Sequence, residues 1–149
     1  MSKEALNYVY RIISRKDYTE CEIREKLIFK FNLDEGKLKQ IIDKLKAEGL
    51  IDDMRFAKMY TEHKILAGYG PLYIIAALKK KGINIDEKYF NSIADSMDID
   101  IKNILKDLLI KKHITRIDKC YAFLQRRGYK TDKINDSIKE VNEDGSIIF

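Results

Sequence analysis

Residues 49–60 read GLIDDMRFAKMY, and the way this stretch divides decides the fold. Gly49 is the stop signal of one helix, and the carboxylates of Asp52 and Asp53 are the start signal of the next. Phe56, Met59 and Tyr60 follow at helical spacing as the expected inward residues of that second helix. Adjacent carboxylates are also what a catalytic pair or a metal site would show. A catalytic pair, however, needs a further acid or base and an electrophilic partner, and a metal needs several donors at convergent spacing. His63 lies about three helical turns beyond Asp52, and His113 stands between Lys112 and Ile114. No phosphate-cradling glycine loop and no nucleophile–base set can be assembled. Asp52 is therefore expected to cap the helix and Asp53 to sit in its first turn, where the helix dipole favours an acid. No catalytic residue, metal ligand or cofactor is expected.

Outward from this seam, apolar periodicity marks nine helices. Ala5, Leu6, Val9, Ile12 and Ile13 line the first, and Thr19-Glu20-Cys21-Glu22 is a capping box that opens the second, with Ile23 and Leu27 inward. Asp34 opens the third, which carries Leu38, Ile41, Ile42 and Leu45. After the helix begun at Asp52, Pro71 suits a first turn, where its missing donor is not needed, and Ile74, Ile75 and Leu78 lead to Gly82. The LYIIAAL run also fits a buried strand, but Gly-Pro before it and Lys-Lys-Lys-Gly after it favour a helix. Asp86 opens the sixth helix, with Phe90, Ile93 and Met97. Asp98 or Asp100 opens the seventh, with Ile101, Ile104, Leu105 and Leu108. Thr115 to Asp118 has the form of another capping box, leading to Tyr121, Leu124 and Gly128. Thr131 precedes Ile134, Ile138 and Val141, with a tail expected to fray after Gly145.

The nine fall into threes. Leu78-Lys79-Lys80-Lys81-Gly82-Ile83 matches Leu124-Gln125-Arg126-Arg127-Gly128-Tyr129, and Leu27 to Phe31 is a looser copy without the glycine. Such a period predicts an all-α chain of three tandem helix-turn-helix-like repeats, 1–50, 51–98 and 99–149. Apolar residues make up 45% of the 149, enough for a core, and a single proline with seven glycines leaves few breaks in it. Cys21 and Cys120 stand far apart, one to a helix, and are expected as buried apolar residues rather than a disulfide. The start MSKEALNYVY lacks a signal-peptide apolar run, and Tyr69 to Leu78 is too short to cross a bilayer. A cytoplasmic protein with no membrane contact is expected.

The seam belongs to a wider pattern: Gly49-Leu50-Ile51-Asp52-Asp53-Met54-Arg55-Phe56-Ala57, then Gly70-Pro71, then Ile74, Leu78, Lys81, Gly82 and Ile83. This resembles the RecX family of regulatory proteins, which modulate the RecA recombinase. The resemblance is carried by residues 49–83. It implies that Asp52, Asp53, Phe56, Ala57, Gly70, Pro71, Leu78 and Gly82 are structural motif residues, and that the repeats form an elongated, curved molecule. It further implies a monomeric, non-enzymatic regulator lying in the groove of RecA filaments on single-stranded DNA, opposing filament extension, ATP hydrolysis and strand exchange. Where the family usually carries basic residues after Gly-Pro, this chain has Leu72 and Tyr73, so a polar contact at that turn does not carry over.

Net charge is +5, and residues 99–149 hold eleven basic against eight acidic side chains. The candidate contacts to DNA phosphate or filament are Lys79, Lys80 and Lys81 at one helix end and Lys111, Lys112, Arg116, Arg126, Arg127 and Lys130 in the last third. Cations at a helix C-terminus are favoured by the dipole alone, which accounts for Lys79 to Lys81. Lys111 to Arg116 continue across a turn into a helix start, where cations are disfavoured, and so point to an anionic partner: single-stranded DNA, double-stranded DNA or an acidic protein surface. Tyr121 and Tyr129 are candidates for stacking on bases, with Tyr121 better placed in the core. The alternative is a sequence-specific helix-turn-helix DNA binder, for which the third helix, with Lys37, Lys39, Gln40 and Lys44, is the candidate reader.

Overall fold

The structure, a computed structural model, describes residues 2–143 and 145; the frayed tail expected after Gly145 lies outside the described residues. All regular structure among them is helical: α1 (Lys3–Ile13), α2 (Glu20–Phe31), α3 (Glu35–Ala47), α4 (Asp53–Leu66), α5 (Pro71–Lys80), α6 (Glu87–Ser96), α7 (Ile101–Lys111), α8 (Ile117–Arg126) and α9 (Thr131–Glu143). The ambiguous LYIIAAL run is helix, with Pro71 as its first residue.

Short-range chemistry sets most of the starts. Thr19 and Glu22 form the expected capping box, and the carboxylates of Asp34, Asp86 and Asp100 accept backbone N–H groups of α3, α6 and α7. Of the two candidates before α7, Asp100 is thus the cap, while Asp98 takes a left-handed turn (φ 50°) after α6. One expected cap is absent. α8 begins after Arg116 rather than Thr115, and no side chain caps it. The start lies one residue later than a Thr115 box requires, and the Asp118 carboxylate instead takes the Arg116 guanidinium at 3.0 Å.

Five of the helix ends share one device. Backbone N–H groups of Leu50, Tyr69, Ile83, Ile114 and Tyr129 each donate to the carbonyl five residues back, closing the last turn around a left-handed residue. Gly49, Gly68, Gly82 and Gly128 hold that position in four cases, and His113 (φ 55°) in the fifth.

The chain divides into two compact units, Met1–Lys58 with Leu78–Asn84, and Met59–Ala77 with Ile85–Phe149. In the first, α1, α2 and α3 enclose Ala5, Val9, Ile23, Leu27, Leu38, Ile41, Ile42, Leu45 and Ile51. Each large member contributes about 1.5–3 kcal/mol by leaving water. In the second, α7, α8 and α9 enclose Leu105, Leu109, Cys120, Phe123, Leu124, Tyr129, Ile134 and Val141.

Helix α4 departs from expectation. Its buried residues are Ala57, Thr61 and Ile65, spaced by four, while Met59 is 55% exposed and Phe56 and Tyr60 are half-buried. Two of the three, Ala57 and Thr61, are small or polar, so a search for large apolar side chains picks the neighbouring face.

Thr19 is fully buried, accepts from the Glu22 N–H at 3.2 Å and donates its hydroxyl proton to the Lys81 carbonyl at 2.7 Å. Thr19→Ala removes both bonds and is expected to cost about 2 kcal/mol, with Thr19→Ser retaining most of it, as read by urea denaturation.

Candidate nucleic-acid and partner interface

The two carboxylates of the seam are engaged with backbone donors. Asp52 Oδ1 accepts the Arg55 N–H at 3.1 Å, the cap expected of it. Asp53 Oδ1 reaches further and accepts the Glu20 N–H at 2.9 Å, so it serves the free donors of α2 as well as its own helix. Arg55 closes the seam by donating to the Gly49 carbonyl at 3.1 Å. Among the described residues no group of carboxylates, imidazoles and thiols is gathered as a metal would need. Burial pushes the Cys120 thiol up to about 11 and, with Glu25 beside it, raises Cys21 as well. Neither is a ready nucleophile. Cys120 is buried as expected, whereas Cys21 is only half-buried.

The repeated basic–glycine ending has a physical cause visible in each unit. In the first unit, the end of α5 packs on the start of α2. There the Lys81 carbonyl accepts from Thr19, and Lys81 Nζ lies 3.4 Å from Glu22 and 5.9 Å from the Phe56 ring centre. In the second unit, the end of α8 packs on the start of α5. The Arg127 carbonyl accepts the Gly70 N–H at 2.6 Å, and the Gly128 carbonyl accepts the Leu72 N–H at 3.1 Å. Arg127 Nη1 donates to the Ala67 carbonyl at 2.9 Å, with the guanidinium 4.2 Å from the Tyr69 ring centre. In both cases the carbonyl before the glycine binds the residue that precedes a middle helix. The motif glycines are therefore packing sites: a Cβ on Gly82 would stand 2.4 Å from Cys21 Cβ, and one on Gly70 2.7 Å from the Gly128 carbonyl oxygen.

This packing sorts the candidate cations. Lys79 and Lys80 are exposed and form no ion pair among the described residues, while Lys81 is tied to Glu22. Lys111, Lys112 and Arg126 are exposed and unpaired on the same terms. Arg116 is exposed and shared with Asp118, Lys130 bridges to Glu87 at 2.6 Å, and Arg127 is half-buried in the contact just described. The second unit also brings together what the sequence list left out. Lys119, with Arg116 and Arg126, rims a depression of about 340 Å³ floored by Ala122 and Phe123 and bordered by His113. The signal was present in the spacing, since residues 116, 119, 122, 123 and 126 recur at three and four along one face of α8. Three cations over an apolar floor suit an anionic group attached to something flat or apolar.

Tyr129 is buried, at 7% exposure, and its hydroxyl donates to the Tyr69 carbonyl at 3.2 Å; it is part of the core and unavailable for stacking. Tyr121 packs partly buried against the same core, as expected. At the turn where basic residues do not carry over, Tyr73 lies against Tyr69 with ring centres 4.2 Å apart, and Lys64 Nζ is 5.0 Å from the Tyr69 ring. On α3, Lys39 is paired with Asp43 at 2.7 Å and Lys44 with Glu48 at 2.8 Å, so half of the candidate reading side chains are engaged within the helix or at its end.

Comparison with known proteins agrees with this geometry. The model of the RecX second three-helix domain matches residues 52–86. Regulatory protein RecX of Haemophilus influenzae is 26% identical over 147 residues, covering 93% of this chain and 95% of that protein. Regulatory protein RecX of Thermus thermophilus is 28% identical over 147 residues, covering 97% of each. The crystal structure of RecX from Lactobacillus salivarius shares the fold, with a TM-score of 0.75 at 24% identity over 93% of this chain and 95% of that one.

Proposed function

We propose that the chain, similar to regulatory RecX proteins over most of its length, is a member of that family and a non-enzymatic regulator that binds the groove of RecA filaments on single-stranded DNA and inhibits them. The observation that carries the reading is the likeness to regulatory relatives over 97% of the chain, with the motif residues Asp52, Asp53, Gly70 and Gly82 all engaged in its packing. The three stretches 1–50, 51–98 and 99–149 are proposed as the repeats that present the binding surfaces. Lys79, Lys80, Lys111, Lys112, Arg116 and Arg126, joined by Lys119, are proposed as the phosphate and filament contacts. Arg127, Lys81 and Lys130 support the surface through their structural pairs. Several small contacts suit a partner that is itself a polymer, because linked weak sites add through effective concentration. Contact through phosphates gives little sequence preference and strong salt dependence. The engaged lysines of α3 weigh against a helix that reads base edges.

The test is the ATPase rate of RecA filaments preformed on single-stranded DNA, titrated with this protein while free-DNA binding is followed in parallel. Inhibition well below the DNA-binding midpoint is the expected result. Inhibition only where the protein strips the DNA bare would reduce the chain to a general DNA binder.

A further inference from the structure

On the first unit, α1, α2 and the turn between them carry cations, none of them among the candidates above, that rest on aromatic rings. Lys30 Nζ stands 4.3 Å from the Tyr8 ring centre, with the Arg11 guanidinium 5.5 Å from the same ring. Lys16 and Lys26 lie 4.7 and 5.4 Å from the Tyr18 ring centre. None of these four cations forms an ion pair with a carboxylate among the described residues. Between Lys26 and Lys30 in the sequence stands Phe29, 94% exposed. Lys26 lies three residues before Phe29 on α2, on the same side of the helix, and Lys30 follows it directly, so the bare ring stands in the same stretch as two cations that rest on other rings. The core does not require an aromatic here: Ile23 and Leu27 fill α2's inward positions.

The geometry points to a single-stranded nucleic-acid site on this face, with Phe29 as the stacking platform for a base and Lys26, Lys30 and Arg11 as phosphate contacts. A bare ring beside unpaired cations is what an unpaired strand can use, since every base offers a flat face and every linkage a charge. A duplex hides its base faces in the stack and leaves the ring without a partner. A protein surface fits less well, because lysine is depleted at protein interfaces and three of the four cations here are lysines. The site takes any base and has no edge-reading groups, so it is tolerant of sequence. It stands apart from the regulatory reading above and does not depend on it.

Phe29 makes no core contact, so its variants report on binding rather than folding. Phe29→Ala is expected to weaken binding of a labelled oligothymidylate about tenfold, with the slope of log affinity on log salt unchanged. Lys26→Gln with Lys30→Gln is expected to reduce that slope by about 1.4, two single-strand phosphate contacts. The chain has no tryptophan, so Phe29→Trp supplies a lone reporter whose emission should be quenched by added oligothymidylate and much less by a duplex of equal length. The proposal is overturned if the wild-type chain fails to bind oligothymidylate. It is equally overturned if Phe29→Ala binds as wild type, or if the Phe29→Trp emission responds only to added RecA, which would make this face a protein contact. All arms but the last use free DNA, so their failure leaves the ATPase prediction standing.

Discussion

Gly128→Ala is expected to destabilise the second unit by about 3–5 kcal/mol, from left-handed backbone strain added to an overlap that cannot relax. Gly128 has φ 94°, and a Cβ built there stands 2.3 Å from the Tyr73 amide nitrogen and 2.6 Å from its Cβ. The obstruction is the first turn of α5, not the end of a flexible side chain, so relief requires the end of α8 to withdraw. Withdrawal would stretch the Gly70 N–H to Arg127 carbonyl bond and the Tyr129 hydroxyl bond to Tyr69. Gly49→Ala is the internal control. Gly49 is also left-handed (φ 72°), but a Cβ there meets nothing within 4 Å. That variant should lose only the conformational share, about 1–2 kcal/mol. Urea denaturation of both separates backbone strain from collision. Equal losses would mean that the contact between α8 and α5 is not close enough to need glycine.

The second large effect is expected from reversing Lys111, Lys112 and Arg116 together to glutamate. All three are exposed, and their only pair among the described residues is the surface bridge from Arg116 to Asp118, so the fold should survive. Losing three phosphate contacts lowers the single-strand salt slope by about 2, and replacing attraction by repulsion adds to the loss, for a weakening of about 100-fold or more near 0.1 M salt. Anisotropy with single-stranded DNA gives the first readout, and half-maximal inhibition of the RecA filament ATPase gives the second. A parallel loss in both places the cluster at the working surface. A folded triple variant that binds and inhibits like the wild type would remove the C-terminal cluster from the site. Loss of DNA binding with intact inhibition would make the cluster a DNA contact that regulation does not need.

These two experiments touch different kinds of information in the chain. The starts and stops of the helices were legible because they are fixed by interactions within about six residues: Thr19 with Glu22, Asp52 with Arg55, the N–H of Leu50 with the carbonyl of Leu45. The Thr115 box failed on the same scale, because a shift of one residue in the helix start takes the hydroxyl out of reach of its donor. The face of α4 was misjudged because Ala57 and Thr61, buried by what packs on them, carry little hydrophobic signal of their own. The family resemblance was legible because the seam, Gly-Pro and basic-glycine blocks are contiguous in sequence.

What the sequence by itself determined, then, is the all-α plan, most helix boundaries and the resemblance to the RecX family. Which cations are free was decided only by tertiary structure. Lys81 and Arg127 look like their neighbours Lys80 and Arg126 in any local reading. They are withdrawn from the surface by partners 59 and 60 residues away, Glu22 and the Ala67 carbonyl. Tyr129 is withdrawn in the same way by the Tyr69 carbonyl. Phe29 is the converse case, an apolar residue left bare because Ile23 and Leu27 already fill the inward face of its helix. Local pattern sets where a helix begins and which way it tends to face, but a side chain's availability depends on what the rest of the chain lays against it.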